Sequence, residues 1–267
     1  MRVSRAESDL KPVEKNTLVY SVVVPAHNEE QNVAPTTETL AQVLRDEGIP
    51  FEIVVVNDHS SDRTPEVVAE VQGQSPEVRL VHNTMPGGFG RAVRCGLKHF
   101  KGDVVAIVMA DLSDSPADVV ACYRKIEEGY DCVFGSRFIR GSRVVQYPVV
   151  KLVVNRIVNH AMRFIFMTRH NDLTNAFKVY RRDVIESISP LYAAHFNITI
   201  EMSLSSLIRQ YRIAQIPIAW SGRTWGSSNL RLQEMGRRYL CTLLKVWFER
   251  LLILDDLIAE KPEREGR

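Results

Sequence analysis

The chain has 267 residues, of which 45% are hydrophobic and 25% charged, with a formal net charge of +2. This length suits one large α/β domain or two small ones, and the apolar content argues against a disordered or fibrous protein. Cys95, Cys122, Cys132 and Cys241 lack CxxC spacing, and no secretory leader pattern is expected, so reduced and mostly buried thiols are read in place of a zinc site or disulfide framework. No apolar run approaches the roughly 18 residues that span a bilayer, so the chain is not expected to cross a membrane unaided.

Residues 1–14 read as a flexible polar tail. Short β-branched runs at residues 18–24, 51–56, 78–81 and 104–109 then read as buried strands. Helix-compatible spacing fills the stretches near residues 30–47, 65–72, 90–100 and 117–128. The order βαβαβαβα predicts an α/β fold with a mostly parallel sheet flanked by helices. Such sheets bind ligands beyond the carboxyl ends of their strands, so the residues just after each strand are where chemistry is expected.

Beyond Gly135 the pattern changes to basic, amphipathic stretches, and residues 140–182 hold nine Lys/Arg against one acid, Asp172. Such a segment predicts an anionic partner. In residues 148–167 the polar Lys151, Asn155, Asn159 and Arg163 recur every four positions, and Leu152, Ile157, Ala161, Phe164 and Ile165 fill the remaining surface. In residues 237–254 the stripe Arg238, Thr242, Lys245 and Glu249 opposes Leu240, Leu243, Leu244, Trp247, Phe248 and Leu251. Both stretches can lie among lipid headgroups, or can cover the sheet or a dimer interface.

Three strand-end segments carry the candidate chemistry. The first strand ends in Pro25-Ala26-His27-Asn28-Glu29-Glu30, and the second in Asn57-Asp58-His59-Ser60-Ser61-Asp62-Arg63-Thr64. A carboxylate at Asp58 faces the ligand crevice and can accept from a base or ribose, or it can serve only as a turn or cap residue. The fourth strand ends in Met109-Ala110-Asp111-Leu112-Ser113-Asp114-Ser115-Pro116. Two carboxylates three residues apart there suit a hard divalent cation against a pyrophosphate, although Asp114 or Ser115 can equally cap the following helix.

Together these segments resemble the family 2 glycosyltransferases of GT-A fold, and within them the dolichyl/polyprenyl-phosphate mannose synthase-like group, over about residues 21–232. The resemblance implies a GT-A (Rossmann-like) domain over residues 15–232, a C-terminal amphipathic helix at 233–256 and a polar tail at 257–267. It assigns nucleotide-sugar contacts to Pro25, Ala26, Asn28, Glu29 and Asp58, and to Ala110, Asp111, Ser113 and Arg223. The family's Asp-x-Asp metal motif falls on Met109-Ala110-Asp111, so its first carboxylate is absent here. Ser113 and Asp114 can supply replacement oxygens beside Asp111 for Mg²⁺ or Mn²⁺. Gly135-Ser136-Arg137-Phe138 is similar to the family's Gly-Ser-Arg segment, whose arginine faces the acceptor phosphate. Residues 172–180 resemble Asp-x-x-Ser-Gly-Phe-Arg-x-Tyr, with Asn175-Ala176 for Ser-Gly and Lys178 for arginine, and Arg223 lies in a segment similar to the loop that closes on the donor phosphates.

The activity so implied is inverting transfer of a sugar from a nucleotide diphosphate sugar (GDP-mannose or a UDP-hexose) to a polyprenyl or dolichyl phosphate. The catalytic set is then Asp111, Asp114, Arg137, Lys178 and Arg223, with both arginines contacting ligand phosphates rather than the core. A cytoplasmic protein, peripheral on the cytoplasmic face of the membrane, follows from a lipid acceptor. No nucleic-acid partner is expected, and homo-oligomerisation is left open. Two alternatives stand beside this reading: transfer to a saccharide or glycolipid hydroxyl, with Asp114 or Glu201 as general base, and a nucleotide-sugar-binding relative without turnover. A dinucleotide-dependent dehydrogenase is disfavoured, because no GxGxxG follows the first strand.

Overall fold

The computed structural model describes residues 18–221 and 232–259, with side chains in the last stretch described from 236 to 251. In chain order the elements are β1 (Tyr20–Ala26), α1 (Val33–Asp46), β2 (Phe51–Asn57), α2 (Thr64–Gln74), β3 (Val78–His82), α3 (Phe89–His99), β4 (Val104–Ile107) and α4 (Pro116–Glu127). There follow β5 (Cys132–Ser136), β6 (Arg143–Val145), α5 (Val149–Phe166), β7 (Lys178–Arg181), α6 (Arg182–Ile188), α7 (Ile198–Ile208), β8 (Ile213–Pro217), β9 (Ala219–Ser221) and α8 (Leu232–Ala259). The tail at 1–14 and the segment bearing Arg223 lie outside the described residues.

The main sheet has seven strands in the order β3-β2-β1-β4-β7-β5-β8, and β7 alone runs antiparallel to its neighbours. The order reverses between β1 and β4, which opens a crevice beyond their carboxyl ends. Alternate residues of the strands enter two separate cores, as the two-residue period of a strand requires. Val22, Val24, Ile53 and Val55 pack against α1, α2 and α4 on one face. Val23, Val54 and Val56 pack against α3 on the other, in a core that continues through α5, α6, α7 and Val246 of α8.

The strand ends differ from the sequence expectation in two instructive places. β1 runs two residues further than predicted, through Pro25. Val23 O accepts from β4-side Val108 N and Ala26 O from β2-side Asp58 N, so residue 25 faces the β4 side, beyond the last paired residue Val23. The missing proline N–H therefore costs no ladder bond. β4 stops at Ile107 instead of 109, because Met109 N–H leaves the ladder and donates to Asp114 Oδ2 at 3.0 Å.

Both long amphipathic helices turn polar side chains inward, beside the buried Met162, Phe166 and Val246. On α5, Asn159 is buried, its side chain accepts from Leu173 N, and it shares Thr174 Oγ1 with Asn155. On α8, Thr242, Lys245 and Glu249 meet Asn197, Glu201 and Arg209 of the α7 region. The exposed side chains are instead Val149, Val150, Val153, Ile157 and Phe164 of α5 and Leu240, Leu244, Trp247, Phe248 and Leu251 of α8. No helix among the described residues is long and apolar enough to cross a membrane.

Candidate functional site

Each of the loops after β1, β2 and β4 turns through a residue with positive φ: Asn28 (56°), His59 (58°) and Leu112 (58°). Non-glycine residues occupy this region at a cost, and such strain tends to be retained where function needs it. The first two loops are stitched together. Asn28 N–H donates to Ser60 Oγ (3.0 Å), its Oδ1 accepts from Ser61 N–H (2.8 Å), and Glu29 N–H donates to Thr64 Oγ1 (2.9 Å). The buried Glu29 carboxylate accepts from Asn32 Nδ2 at 2.8 Å. Asp58, also buried, accepts from Asn83 Nδ2 (2.7 Å) and from Gly88 N–H (2.8 Å), and His27 Nδ1 lies 2.7 Å from its carbonyl oxygen. Pro25 and Ala26 form the floor as the last residues of β1.

At the end of β4, Ala110 is buried and its carbonyl accepts from Thr36 of α1 at 3.0 Å. Asp111 Oδ1 accepts from Ser113 N–H at 3.2 Å, which folds the loop around Leu112. Asp114 is turned back toward Met109, the position at which the Asp-x-Asp motif has its first carboxylate. Burial pushes the Asp114 carboxyl up to about 7, with the Met109 N–H opposing and the Asp111 charge adding to the rise. Ser113 Oγ and Asp114 Oδ1 are both buried without a hydrogen-bond partner. Buried orphan oxygens are uncommon in folded proteins and invite a ligand. Oxygen donors of this kind suit Mg²⁺ or Mn²⁺, so these residues fit a hard cation, although no cluster of three His, Cys, Asp or Glu occurs among the described residues.

The cationic positions are deployed differently from the sequence expectation. Arg137 donates through Nε and Nη2 to both oxygens of Asp172 (2.8 and 2.7 Å), and its backbone N–H adds a third bond at 3.0 Å. Both side chains are buried, and Phe138, Tyr147 and Trp220 ring the guanidinium. Burial works against the guanidinium charge, yet Asp172 outweighs it and holds the arginine protonated. Lys178 is fully buried and donates to the carbonyls of Leu173 and Asn175 rather than into the crevice. Burial pushes its ammonium down to about 7 against the pull of Asp172. Glu201, a candidate base in the hydroxyl-acceptor alternative, is spent on Tyr192 N–H, Ala193 N–H and Lys245.

Sequence reasoning passed over Arg156. Its guanidinium lies 4.7 Å from the centre of the Phe138 ring, which the Arg137 guanidinium also approaches to 5.4 Å, and its Nη1 is buried without a partner. An arginine one position off the four-residue polar stripe gave no periodic signal. The wall of the crevice beside Asp114 was also unforeseen: β9 pairs with β6, Trp220 bridges to Asp114, and Ala219 N–H donates to Asp118 at 2.7 Å.

A switch-point crevice with loops of this chemistry defines a doubly wound α/β ligand-binding protein. The chain belongs to the family described as Glycosyl transferase family 2, which matches residues 21–189. It is 29% identical over 218 residues to a dolichol-phosphate mannosyltransferase of Pyrococcus furiosus, a match covering 79% of this chain and 59% of that protein. It is 27% identical over 215 residues to a polyprenol monophosphomannose synthase of Mycolicibacterium smegmatis, covering 78% and 80%. Among solved structures, glucosyl-3-phosphoglycerate synthase from Mycobacterium tuberculosis, in complex with Mn²⁺, UDP and glucosyl-3-phosphoglycerate, superposes with a TM-score of 0.66 at 21% identity, over 88% of this chain and 81% of that one. The fold is accordingly GT-A-like.

Proposed function

We propose that this glycosyltransferase moves a sugar, with inversion, from a nucleotide diphosphate sugar to a polyprenyl phosphate at a membrane surface. The observation that carries the reading is the orphan pair Ser113 Oγ and Asp114 Oδ1 beside Asp111, at the crevice between β1 and β4. Asp111, Ser113 and Asp114 would hold a Mg²⁺ or Mn²⁺ ion, which would supply charge against the leaving nucleoside diphosphate. The Asn28, Glu29 and Asp58 loops, with Pro25, Ala26 and Ala110 beneath them, receive the nucleoside. Arg223, outside the described residues, is assigned to the donor phosphates by its motif.

The acceptor phosphate oxygen is anionic near neutral pH, so it attacks the anomeric carbon without a protein base, and the bond to the diphosphate oxygen breaks on the opposite face. What remains for the protein is placement and electrostatics. Arg137 acts in this scheme by shaping the acceptor wall through its pairing with Asp172, and Lys178 by fixing the turn that carries Asp172. Arg156, unpaired at Nη1, is the cation assigned to meet the acceptor phosphate. The names of the Pyrococcus and Mycolicibacterium relatives support a polyprenyl phosphate acceptor. The outward apolar sides of α5 and α8 support attachment to a lipid surface, because exposed apolar patches mark interaction sites.

One observation favours a second reading. A buried carboxyl near 7, as at Asp114, suits a general base for a saccharide or glycolipid hydroxyl. The deciding experiment offers GDP- and UDP-sugars with polyprenyl phosphate, the corresponding polyprenol and a saccharide, with Mn²⁺ or with excess chelator. Metal-dependent transfer to the phosphate alone is expected. Full activity in chelator removes the cation from the scheme, and transfer only to hydroxyls moves the function to the second reading.

A further inference from the structure

Glu201 is a buried carboxylate for which the proposed chemistry has no use. It is 1% exposed, and its oxygens accept from Tyr192 N–H at 3.1 Å, from Ala193 N–H at 2.7 Å and from Lys245 Nζ at 2.7 Å. One side chain of α7 thus holds both the 192–195 segment and α8. A carboxylate buried to this degree needs its counter-charge. Without Lys245 the carboxylate is left to water that enters beside it, which loosens its grip on the two backbone N–H groups.

The 192–195 segment lies directly on the turn that opens α3. A Cβ on Gly90 would stand 2.6 Å from Ala193 O and 2.7 Å from His195 O, and one on Gly88 would stand 2.5 Å from Ala194 O, so two backbones meet there with no side chain between them. Gly88 also has φ +150°, a conformation that L side chains rarely adopt. Arg91 N–H donates to Ala194 O at 3.3 Å, and the Phe89 and Phe196 rings stack with centroids 4.4 Å apart. On its other side, the same turn donates Gly88 N–H to Asp58 Oδ2 at 2.8 Å. A continuous path of hydrogen bonds and backbone contacts therefore runs from Lys245 on α8 to Asp58 in the crevice.

We propose that Glu201 and Lys245 are positioning residues for the donor: they clamp the 192–195 segment onto the Gly88–Gly90 turn and so fix the Gly88 N–H on Asp58. This rests on the reading of the Asp58 crevice as the nucleoside end of the site. The clamp reaches the β2 side of the sheet, whereas Arg137 follows β5, with β4 and β7 between it and the switch point. Loosening it weakens nucleotide binding and leaves the acceptor side in place.

The test compares wild type with Lys245→Met and Lys245→Arg, each measured the same interval below its own melting temperature. Two quantities are read: amide hydrogen exchange over Gly88–Arg91 without ligand, and calorimetric affinity for UDP and GDP in Mn²⁺. Lys245→Met is expected to exchange faster at Gly88–Arg91 and to bind the preferred nucleotide about five-fold more weakly, the scale of one lost hydrogen bond. Lys245→Arg is expected to restore both to within about two-fold, since it keeps the counter-charge. Unchanged exchange in folded Lys245→Met overturns the clamp, and faster exchange with unchanged affinity overturns its role in positioning the donor. A wild type that binds neither nucleotide overturns the donor assignment of the crevice, a result distinct from the exchange data because those need no ligand.

Discussion

Arg137 meets both oxygens of Asp172 inside a cage of Phe138, Tyr147 and Trp220, so its truncation leaves a carboxylate buried without a counter-charge. Breaking such a pair from one side costs about 3 to 5 kcal/mol. Arg137→Ala is therefore expected to lower stability by roughly that amount, visible as a shifted urea midpoint, and not only to slow turnover. If the variant melts with the wild type, the pair contributes no stability. Lys178 gives a pH signature. Its ammonium is pushed down to about 7 by burial, whereas a lysine in the unfolded chain titrates near about 10.4. Between those values the unfolded state holds the extra proton, so stability rises with pH across the window; below about 7 both states are charged and the cost of burying the ammonium is present in full. The stability of wild type minus that of Lys178→Met should climb between pH 6 and about 10. A flat difference would show that the carbonyls of Leu173 and Asn175 solvate the ammonium as well as water does.

Among the elements, α5 and α8 depart from the usual arrangement, in which a surface helix buries its apolar stripe and shows its polar one: their buried sides mix Met162, Phe166 and Val246 with polar residues, and large apolar residues stay outside. Asn155 and Asn159 turn in toward Thr174 and Leu173, and Thr242, Lys245 and Glu249 turn in toward α7, leaving Phe164, Trp247 and Phe248 outside. A helix that merely covered the sheet would not leave so many large apolar residues outside. Near an anionic bilayer each basic side chain adds about 1 kcal/mol, and the exposed rings add apolar burial. Wild type is expected to sediment with vesicles containing anionic lipid, more weakly at high salt, and the pair Phe164→Glu with Trp247→Glu to stay in the supernatant. Sedimentation of that double variant equal to wild type would take the outward faces out of the membrane reading and leave a second protein surface as their partner. The stripes were readable from spacing alone, but which side faced the core was not, because the polar partners Thr174, Glu201 and Arg209 lie far away in sequence.

For the whole molecule, the first four βα units were legible because strands buried on both faces read as unbroken apolar runs rich in β-branched residues, as at residues 53–56 within β2 and at β4. The second half resisted the same treatment. β7 has four residues and pairs antiparallel with strands over 40 residues upstream, and α7 is buried on nearly every side, so neither carries a period that spacing could reveal. The crevice residues at the ends of β1, β2 and β4 could be named from strand position, but their satisfaction could not. That Asp172 would neutralise Arg137, or that Glu201 would be a strut, depends on contacts that only the folded chain makes.

The crevice is also where the fold is expected to be least content with itself, and this can be measured. Asp114 has its carboxyl pushed up to about 7 by burial, against about 3.9 for an aspartate in an unfolded chain. The folded state therefore holds the extra proton between those values, stability falls as pH rises through that window, and the cost of the buried charge is present in full above about 7. In chelator at pH 8, Asp114→Asn removes that charge while its side-chain oxygen can still accept from Met109 N–H, so the variant is expected to melt above wild type. At pH 4 the advantage should disappear. Mn²⁺ acts in the opposite direction, because a ligand bound only by the folded state adds about 2.7 kcal/mol at one hundred times its dissociation constant. For a chain of this length that corresponds to roughly 5 to 10 °C in melting temperature. Wild type should gain this shift, Asp114→Asn much less of it, and Asp111→Asn should lose both the shift and more turnover than Asp114→Asn. A wild type whose melting temperature ignores Mn²⁺ at pH 8, or an Asp114→Asn protein that is less stable than wild type in chelator, would mean that the orphan oxygens of Ser113 and Asp114 are not held in readiness for a cation.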